Sequence, residues 1–100
     1  MTAYVLAQLQ FTDVERYRRY QSRFAEIFAQ SGARLLCADE SPTLLEGDWI
    51  GDKVVLMEFA DEAQALQWLQ GPGYQAISED RKAGANTTAL LLKGLGFPQH

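Results

Sequence analysis

Three segments of the sequence carry apolar residues at consecutive positions rather than at alternating ones. The clearest is 54–59, and residues 3–9 and 89–92 show the same pattern. Short apolar runs bounded by turn-forming residues predict β-strands. Continuous apolar character indicates strands that are buried on both faces of a sheet, because an exposed face would carry polar side chains. The fold must therefore cover both sides of its sheet.

Capping signals between these strands predict where the helices begin. Thr12 and Glu15 form a capping box, in which the Thr12 hydroxyl accepts a hydrogen bond from the backbone N–H of Glu15. Apolar residues then recur with a period of 3.6, which predicts a helix over about residues 13–30. Asp61 and Gln64 form a second box, and Pro72 suits the first turn of a further helical segment.

Strands are predicted at 3–9, 34–37, 53–59 and 88–93, with 43–46 as a candidate continuation of the second. The order is then β-α-β-β-α-β, which is the ferredoxin-like arrangement. We expect an α+β fold with its helices on one face of the sheet. The 100 residues are expected to form one domain, 1–100, with a core at about 3–94 and a loose tail at 95–100.

The burial pattern of the strands exceeds what the helices can cover. Two helical stretches are enough for one face of the sheet. A second copy of the same sheet, related by a two-fold axis, is the simplest cover for the other face. The sequence therefore predicts a homodimer through the sheet face, in the form of a dimeric α+β barrel.

The charge balance and hydropathy exclude two classes of partner. Nine Lys and Arg stand against thirteen Asp and Glu, which gives a net charge of −4. Nucleic-acid binding requires a basic surface, so no nucleic-acid partner is expected. The longest apolar runs are far shorter than the roughly 18–20 residues of a membrane helix, and the N-terminal segment is not that of a signal peptide. No membrane partner is expected.

Metal-binding and cofactor-binding residues are scarce. Cys37 is the single cysteine and His100 the single histidine, so the sequence lacks the ligand clusters of a zinc site. Haem needs a fixed axial ligand, for which a terminal histidine is poorly suited. We expect no metal and no cofactor. A single cysteine cannot form an internal disulfide, which fits a cytoplasmic location.

Six segments carry a resemblance to a known family: residues 3–7, 12–20, 45–49, 55–59, 65–68 and 71–74. They resemble the domain-of-unknown-function family 1330, across about residues 3–94. That family is similar to the dimeric α+β barrel group. The group includes cofactor-free monooxygenases, lactone isomerases, polyketide cyclases and some haem enzymes, together with proteins of no known activity. The resemblance therefore implies a fold and leaves the activity open.

Two charged residues are predicted to be catalytic. Glu58 lies inside the most apolar strand, where an unpaired carboxylate is costly and takes up a proton readily, as a general base must. Arg81 shares a helix face with Tyr74 and Ile77 and is placed to hold a substrate oxygen. The alternative is that Glu58 lies near the strand end and pairs with an arginine or lysine, and that Arg81 pairs with Glu58 or another acid. A pair such as Glu58 with Arg81 would satisfy both groups without a ligand.

Four aromatic residues are predicted to line a ligand pocket, with their polar tips directed at the ligand. They are Tyr17, Tyr20, Trp68 and Tyr74. The alternative is that aromatic residues at helical spacing simply pack in the core.

A stripe of arginines runs along the first predicted helix at Arg16, Arg19 and Arg23. It fits either an anionic partner or a solvated helix face, on which Glu15 supports Arg19 one turn later. The sequence does not choose between these interpretations.

Two functions follow from these observations. The first is a cofactor-independent enzyme that acts on a small aromatic, enone or lactone-type molecule. Glu58 would move a proton while Arg81 or Tyr74 polarises an oxygen. The second is a non-catalytic dimeric module for ligand binding or structure, with its polar residues paired internally and no open pocket.

Overall fold

The computed structural model describes residues 1–95. Most of the predicted tail, including His100, lies outside the described residues. Seven elements follow in chain order: β1 Ala3–Phe11, α1 Val14–Ala29, β2 Arg34–Asp39, β3 Lys53–Phe59, α2 Glu62–Leu69, α3 Pro72–Gly84 and β4 Ala85–Lys93. The predicted order is confirmed, with the second helical stretch divided at Gly71. Residues 43–46 form no strand, so the candidate continuation of β2 is wrong.

The four strands form one antiparallel sheet in the order β2-β3-β1-β4. The two central strands are therefore β1 and β3, the most apolar segments of the sequence. A register shift between Leu35 and Cys37 introduces a bulge into the edge strand β2. The α+β, ferredoxin-like class predicted from the element order is confirmed.

Local capping sets the helix starts. Asp61 accepts a hydrogen bond from the Gln64 backbone N–H at 2.8 Å, and the Gln64 side chain accepts one from the Ala60 N–H at 2.6 Å. The predicted second box is therefore present in a variant form, in which Gln64 binds the N–H of Ala60, one residue before the cap Asp61. The first one differs, because Asp13 and not Thr12 caps α1, accepting from the Arg16 N–H at 3.2 Å. The Thr12 N–H instead donates to the Gly84 carbonyl at the end of α3.

All helices cover the same face of the sheet. On β3 the side chains of Lys53, Met57 and Phe59 point to this helix-covered face and are buried. On β1 its buried members include Val5 and Leu9. Successive strand residues point to opposite faces, so the even-numbered residues of β1 and β3 lie on what we call the open face. The shortest dimension of the molecule is 16 Å, which matches one sheet and one helix layer.

A row of leucines crosses the open face, and no element of residues 1–95 covers it. Leu56, Leu6 and Leu90 are direct partners across β3, β1 and β4. Leu90 is 50% exposed and Leu92 is 39% exposed. Burial of the strands on both faces, as expected from their composition, is therefore not achieved within a single chain.

Gly84 marks the closest approach between α3 and α1. Its carbonyl accepts from the backbone N–H groups of Thr12 at 2.9 Å and Asp13 at 3.1 Å. A Cβ at this position would lie 2.5 Å from the backbone nitrogen of Tyr17 and 2.8 Å from the carbonyl oxygen of Asp13. Both obstacles are backbone atoms, so no side-chain rotation can relieve them.

We expect Gly84→Ala to lower the free energy of unfolding by about 3 kcal/mol, because the helices must move apart. Gly73→Ala in the same helix is the matched control, since its Cβ would meet only Ile27, at 3.8 Å. That control should be neutral or stabilising by up to about 1 kcal/mol. Urea denaturation of both variants measures the difference, and equal effects would show that the contact at Gly84 is unimportant.

Candidate functional site

A cavity of about 560 Å³ lies between the helix-covered face of the sheet and the helices. Small side chains on the sheet create it. Ala38, Val55, Ala7 and Ala89 follow one another directly across β2, β3, β1 and β4. Three of these four positions carry alanine, so the helices pack over a shallow row and leave space. This cavity was not predicted from the sequence, in which its signal is alanine at strand positions where large residues are usual.

One wall of the cavity carries a chain of polar groups from α1 and α3. The Arg81 Nε–H donates to the Tyr74 hydroxyl at 3.1 Å, and the hydroxyls of Tyr74 and Tyr20 lie 3.1 Å apart in a hydrogen bond. All three residues line the cavity. The helical spacing of Tyr74 and Arg81 was predicted from the sequence, and the structure brings Tyr20 to the same place.

Burial keeps the tyrosine hydroxyls protonated. It raises the pKa of Tyr20 well above its ordinary value, and the neighbouring Tyr74 acts in the same direction. Burial is also the main reason that the pKa of Tyr17 is raised to about 12, with a further contribution from the Glu40 carboxylate. Both groups are therefore hydrogen-bond donors near neutral pH.

Lys53 lines the cavity beside Tyr17 and was missed by the sequence analysis. Lys53 is 4% exposed. Its Nζ lies 5.0 Å from the centre of the Tyr17 ring and 3.5 Å from Glu40 Oε2. Burial lowers the pKa of Lys53, and Glu40 opposes that shift. A signal existed in the sequence, because Lys53 has the same parity as Val55 and Met57 and so shares their face of the sheet.

Arg18 is the main ion-pair partner of Glu40. The Arg18 guanidinium donates to both oxygens of Glu40, at 2.5 and 2.7 Å, and this pairing lowers the pKa of Glu40 to about 2. The Lys53 ammonium is the second cation on the same carboxylate. Two cations therefore share one anion at this end of the cavity.

Glu58 lies on the other side of the sheet. Its side chain points to the open face, where Glu58 Oε1 is 3.5 Å from Arg34 Nε. Glu58 therefore pairs with an arginine, as the alternative expected, but the partner is Arg34 and not Arg81, because the pleat of β3 directs residue 58 away from the helices. The structure does not bring Glu58 and Arg81 into one site.

Three of the four predicted aromatic residues line the cavity, and the same three are buried in the core. They are Tyr17, Tyr20 and Tyr74. Trp68 does not line the cavity, because its ring packs against the rings of Phe28 and Tyr74, with centroids 5.4 and 4.7 Å away. The core alternative therefore describes the position of Trp68.

The arginine stripe on α1 is partly neutralised by α3. Asp80 Oδ1 is 2.7 Å from Arg16 Nε and 3.6 Å from Arg19 Nη1. These contacts join the two helices on the side away from the cavity lining, and Arg23 is exposed further along. In the described chain, residues 1–95, no group of three or more His, Cys, Asp or Glu is arranged to hold a metal ion. No helix in that range is long and apolar enough to cross a membrane.

Because the pKa of Tyr17 is raised, the folded protein should lose stability at alkaline pH. The folded protein holds this proton to about pH 12, whereas an unfolded tyrosine releases it near pH 10, so unfolding is favoured between these values. We expect the free energy of unfolding to fall by on the order of 2 kcal/mol over this range because of Tyr17. Tyr17→Phe should flatten the curve, measured by urea denaturation at each pH. A curve as steep in the variant as in the wild type would contradict this account.

Solved structures with the same fold are found at low sequence identity. A protein of unknown function from Rhodopseudomonas palustris is 19% identical, with a TM-score of 0.78 over 94% of this chain and 82% of that one. A dimeric ferredoxin-like protein of unknown function from Jannaschia sp. CCS1 is 13% identical, with a TM-score of 0.73 over 94% of this chain and 100% of that one.

The cofactor-independent oxygenase SnoaB from Streptomyces nogalater is 14% identical, with a TM-score of 0.68 over 99% of this chain and 98% of that one. At such identities these likenesses show the fold alone. No curated protein matches the sequence. The family model "Domain of unknown function (DUF1330)" matches residues 2–95. The resemblance noted in the sequence is thereby confirmed, and the chain belongs to the DUF1330 family.

Proposed function

We propose that the protein is a cofactor-independent enzyme that acts on a small aromatic, enone or lactone-type molecule bound in the cavity. One observation carries the proposal: an apolar cavity into which a hydrogen-bonded chain of Arg81, Tyr74 and Tyr20 projects. Cavities of about 300–1,000 Å³ that combine apolar walls with a few convergent polar groups are typical of small-molecule sites. The volume of about 560 Å³ lies within that range.

The chain of Arg81, Tyr74 and Tyr20 can donate a hydrogen bond to a ligand. Tyr20 and Tyr74 have two hydroxyl protons between them, and their mutual hydrogen bond uses one. The other is available to an oxygen of the ligand. Arg81 donates to Tyr74 and so polarises the pair toward donation. A carbonyl, lactone or phenol oxygen that gains negative charge during a reaction would be stabilised there.

Glu58 is not part of this proposal. Its position on the open face separates it from the cavity by the thickness of the sheet. The catalytic role predicted for Glu58 from the sequence therefore gains no support from the cavity. Arg81, Tyr20 and Tyr74 are retained as residues that contact the ligand.

The similarity to SnoaB is compatible with this function and does not establish it. A cofactor-independent oxygenase of the same fold indicates that such a scaffold can support chemistry without a cofactor. The alternative is binding without turnover. A purely structural module was predicted to have no open pocket. The cavity therefore favours a function in which a ligand is bound.

A thermal-shift screen with aromatic acids, lactones, quinones and phenols tests the proposal. A ligand at 100 times its dissociation constant adds about 2.7 kcal/mol, which should raise the Tm by roughly 10 °C or more. Ala89→Leu should abolish the shift, because the larger side chain fills the cavity floor. Ala63→Leu, on the exposed side of α2, is the matched control and should retain it.

Two further outcomes decide between the functions. Consumption of the compound by the wild type, but not by Ala89→Leu, would identify an enzyme. Unchanged recovery of every stabilising compound would favour the binding module. A shift that persists in Ala89→Leu would place the ligand outside this cavity.

We also propose that the chain forms a homodimer through its open face. The row of Leu56, Leu6 and Leu90 is apolar and uncovered in residues 1–95. Burial of such a row against a second copy would complete the two-sided cover that the strand composition requires. A structurally similar protein from Jannaschia sp. CCS1 is described as dimeric, which supports the proposal. A cytoplasmic location remains a prediction from the sequence.

Light scattering after size-exclusion chromatography should give twice the chain mass of 11.2 kDa. Leu90→Lys should give the monomer mass, because a buried lysine ammonium without a partner is costly at an interface. Val14→Lys is the control: Val14 is 48% exposed and lies on the helix side of the molecule. A Leu90→Lys protein that stays dimeric would exclude the open face as the interface.

A further inference from the structure

Cations outnumber carboxylates around the polar end of the cavity. Lys53 and Arg81 line it, and Arg18 shares the Glu40 carboxylate with Lys53. Glu40 is the one carboxylate in ion-pair contact with any of these three cations within residues 1–95. It is shared between Arg18 and Lys53. The chain as a whole carries −4, so this local excess of positive charge runs against its composition.

The guanidinium of Arg81 has hydrogen-bond donors that no described residue uses. Its Nε–H is used by the Tyr74 hydroxyl, and among the described residues the two terminal amino groups of its guanidinium make no hydrogen bond or ion pair. Asp80, the residue before Arg81 on α3, binds Arg16 and Arg19. Two adjacent N–H groups of a guanidinium match the two oxygens of a carboxylate.

We propose, building on the function proposed above, that the cavity ligand is an aromatic oxyanion, a carboxylate or an ionised phenol, bound by Arg81 with Lys53 as the second cation. The apolar floor of Ala7, Ala38 and Ala89 takes the ring. The guanidinium of Arg81 and the hydroxyls of Tyr20 and Tyr74 take the oxygen. Lys53 is thereby a ligand-binding residue rather than only a structural one.

The low exposure of Lys53 also points to an anionic ligand. Lys53 is 4% exposed, and a cation withdrawn from water that far is costly unless an anion accompanies it. Glu40 supplies only part of that compensation because Arg18 holds it in a bidentate contact. The lowered pKa of Lys53 is the expected consequence of burial with too little opposing charge. An anionic ligand would restore the balance.

Matched neutral and anionic probes test this inference. We would measure the binding of 1-naphthoate and 1-naphthamide by isothermal titration calorimetry near neutral pH, with 2,4-dinitrophenol as the phenolate probe. Wild-type protein should bind the anions about 10-fold or more tightly than the amide. The relative strength of naphthoate and dinitrophenol binding tells a carboxylate site from a phenolate site.

Variants assign the preference to the named cations. Arg81→Met should remove the preference for naphthoate, with the affinity for naphthoate falling about 10-fold further than the affinity for naphthamide, and Lys53→Met should reduce the preference. Arg81→Lys keeps the charge without the two-pronged contact and should retain part of it. Arg23→Met, an exposed arginine on α1 outside the cavity lining, is the control and should behave as the wild type. Circular dichroism establishes that each variant is folded.

The outcomes separate this inference from the function on which it rests. Naphthamide binding as tight as naphthoate binding would overturn the anionic ligand and leave a small-molecule cavity in place. A naphthoate preference that survives in both Arg81→Met and Lys53→Met would place the anion elsewhere and also overturn it. Failure of all three probes to bind would count against the inference and the proposed function together.

Discussion

The contact between Gly84 and the first turn of α1 sets the geometry on which the cavity depends. The Gly84 carbonyl binds the N–H groups of Thr12 and Asp13, and the lack of a side chain lets the two backbones meet. This contact places α1 and α3 side by side above the sheet. Their facing residues, Tyr20 and Tyr74, can then join their hydroxyls at 3.1 Å. The helices are held at a fixed position over strands whose side chains are too short to fill the space beneath.

The cavity combines two features that stability alone would not favour. A row of alanines leaves apolar surface without packing partners, which forfeits dispersion contacts. Beside it, the buried Lys53 and the half-buried Arg81 bring positive charge to the cavity wall. Well-packed apolar residues in the same positions would avoid both costs. Costs of this kind concentrate at functional sites, and here they coincide in one cavity.

Much of the fold could be predicted from local signals. The apolar segments 3–9 and 53–59, the cap at Asp61 and Pro72 at the start of α3 all operate within a few residues, so the sequence showed the element order. The same local reasoning misplaced the first cap. Thr12 and Asp13 are both good caps by residue type, and the backbone N–H groups of both also bind the Gly84 carbonyl, a contact with a distant part of the chain that no local pattern shows.

The site was only partly predictable for a related reason. The sequence by itself determined the α+β class, the helix face shared by Tyr74 and Arg81, and the alternation that separates Lys53 from Glu58, because these follow from backbone periodicity. Only the tertiary structure decided which face of the sheet the helices cover. That choice placed Lys53 in the cavity and Glu58 on the open face beside Arg34, since the packing of α1 and α3 depends on contacts between distant segments that no local pattern encodes.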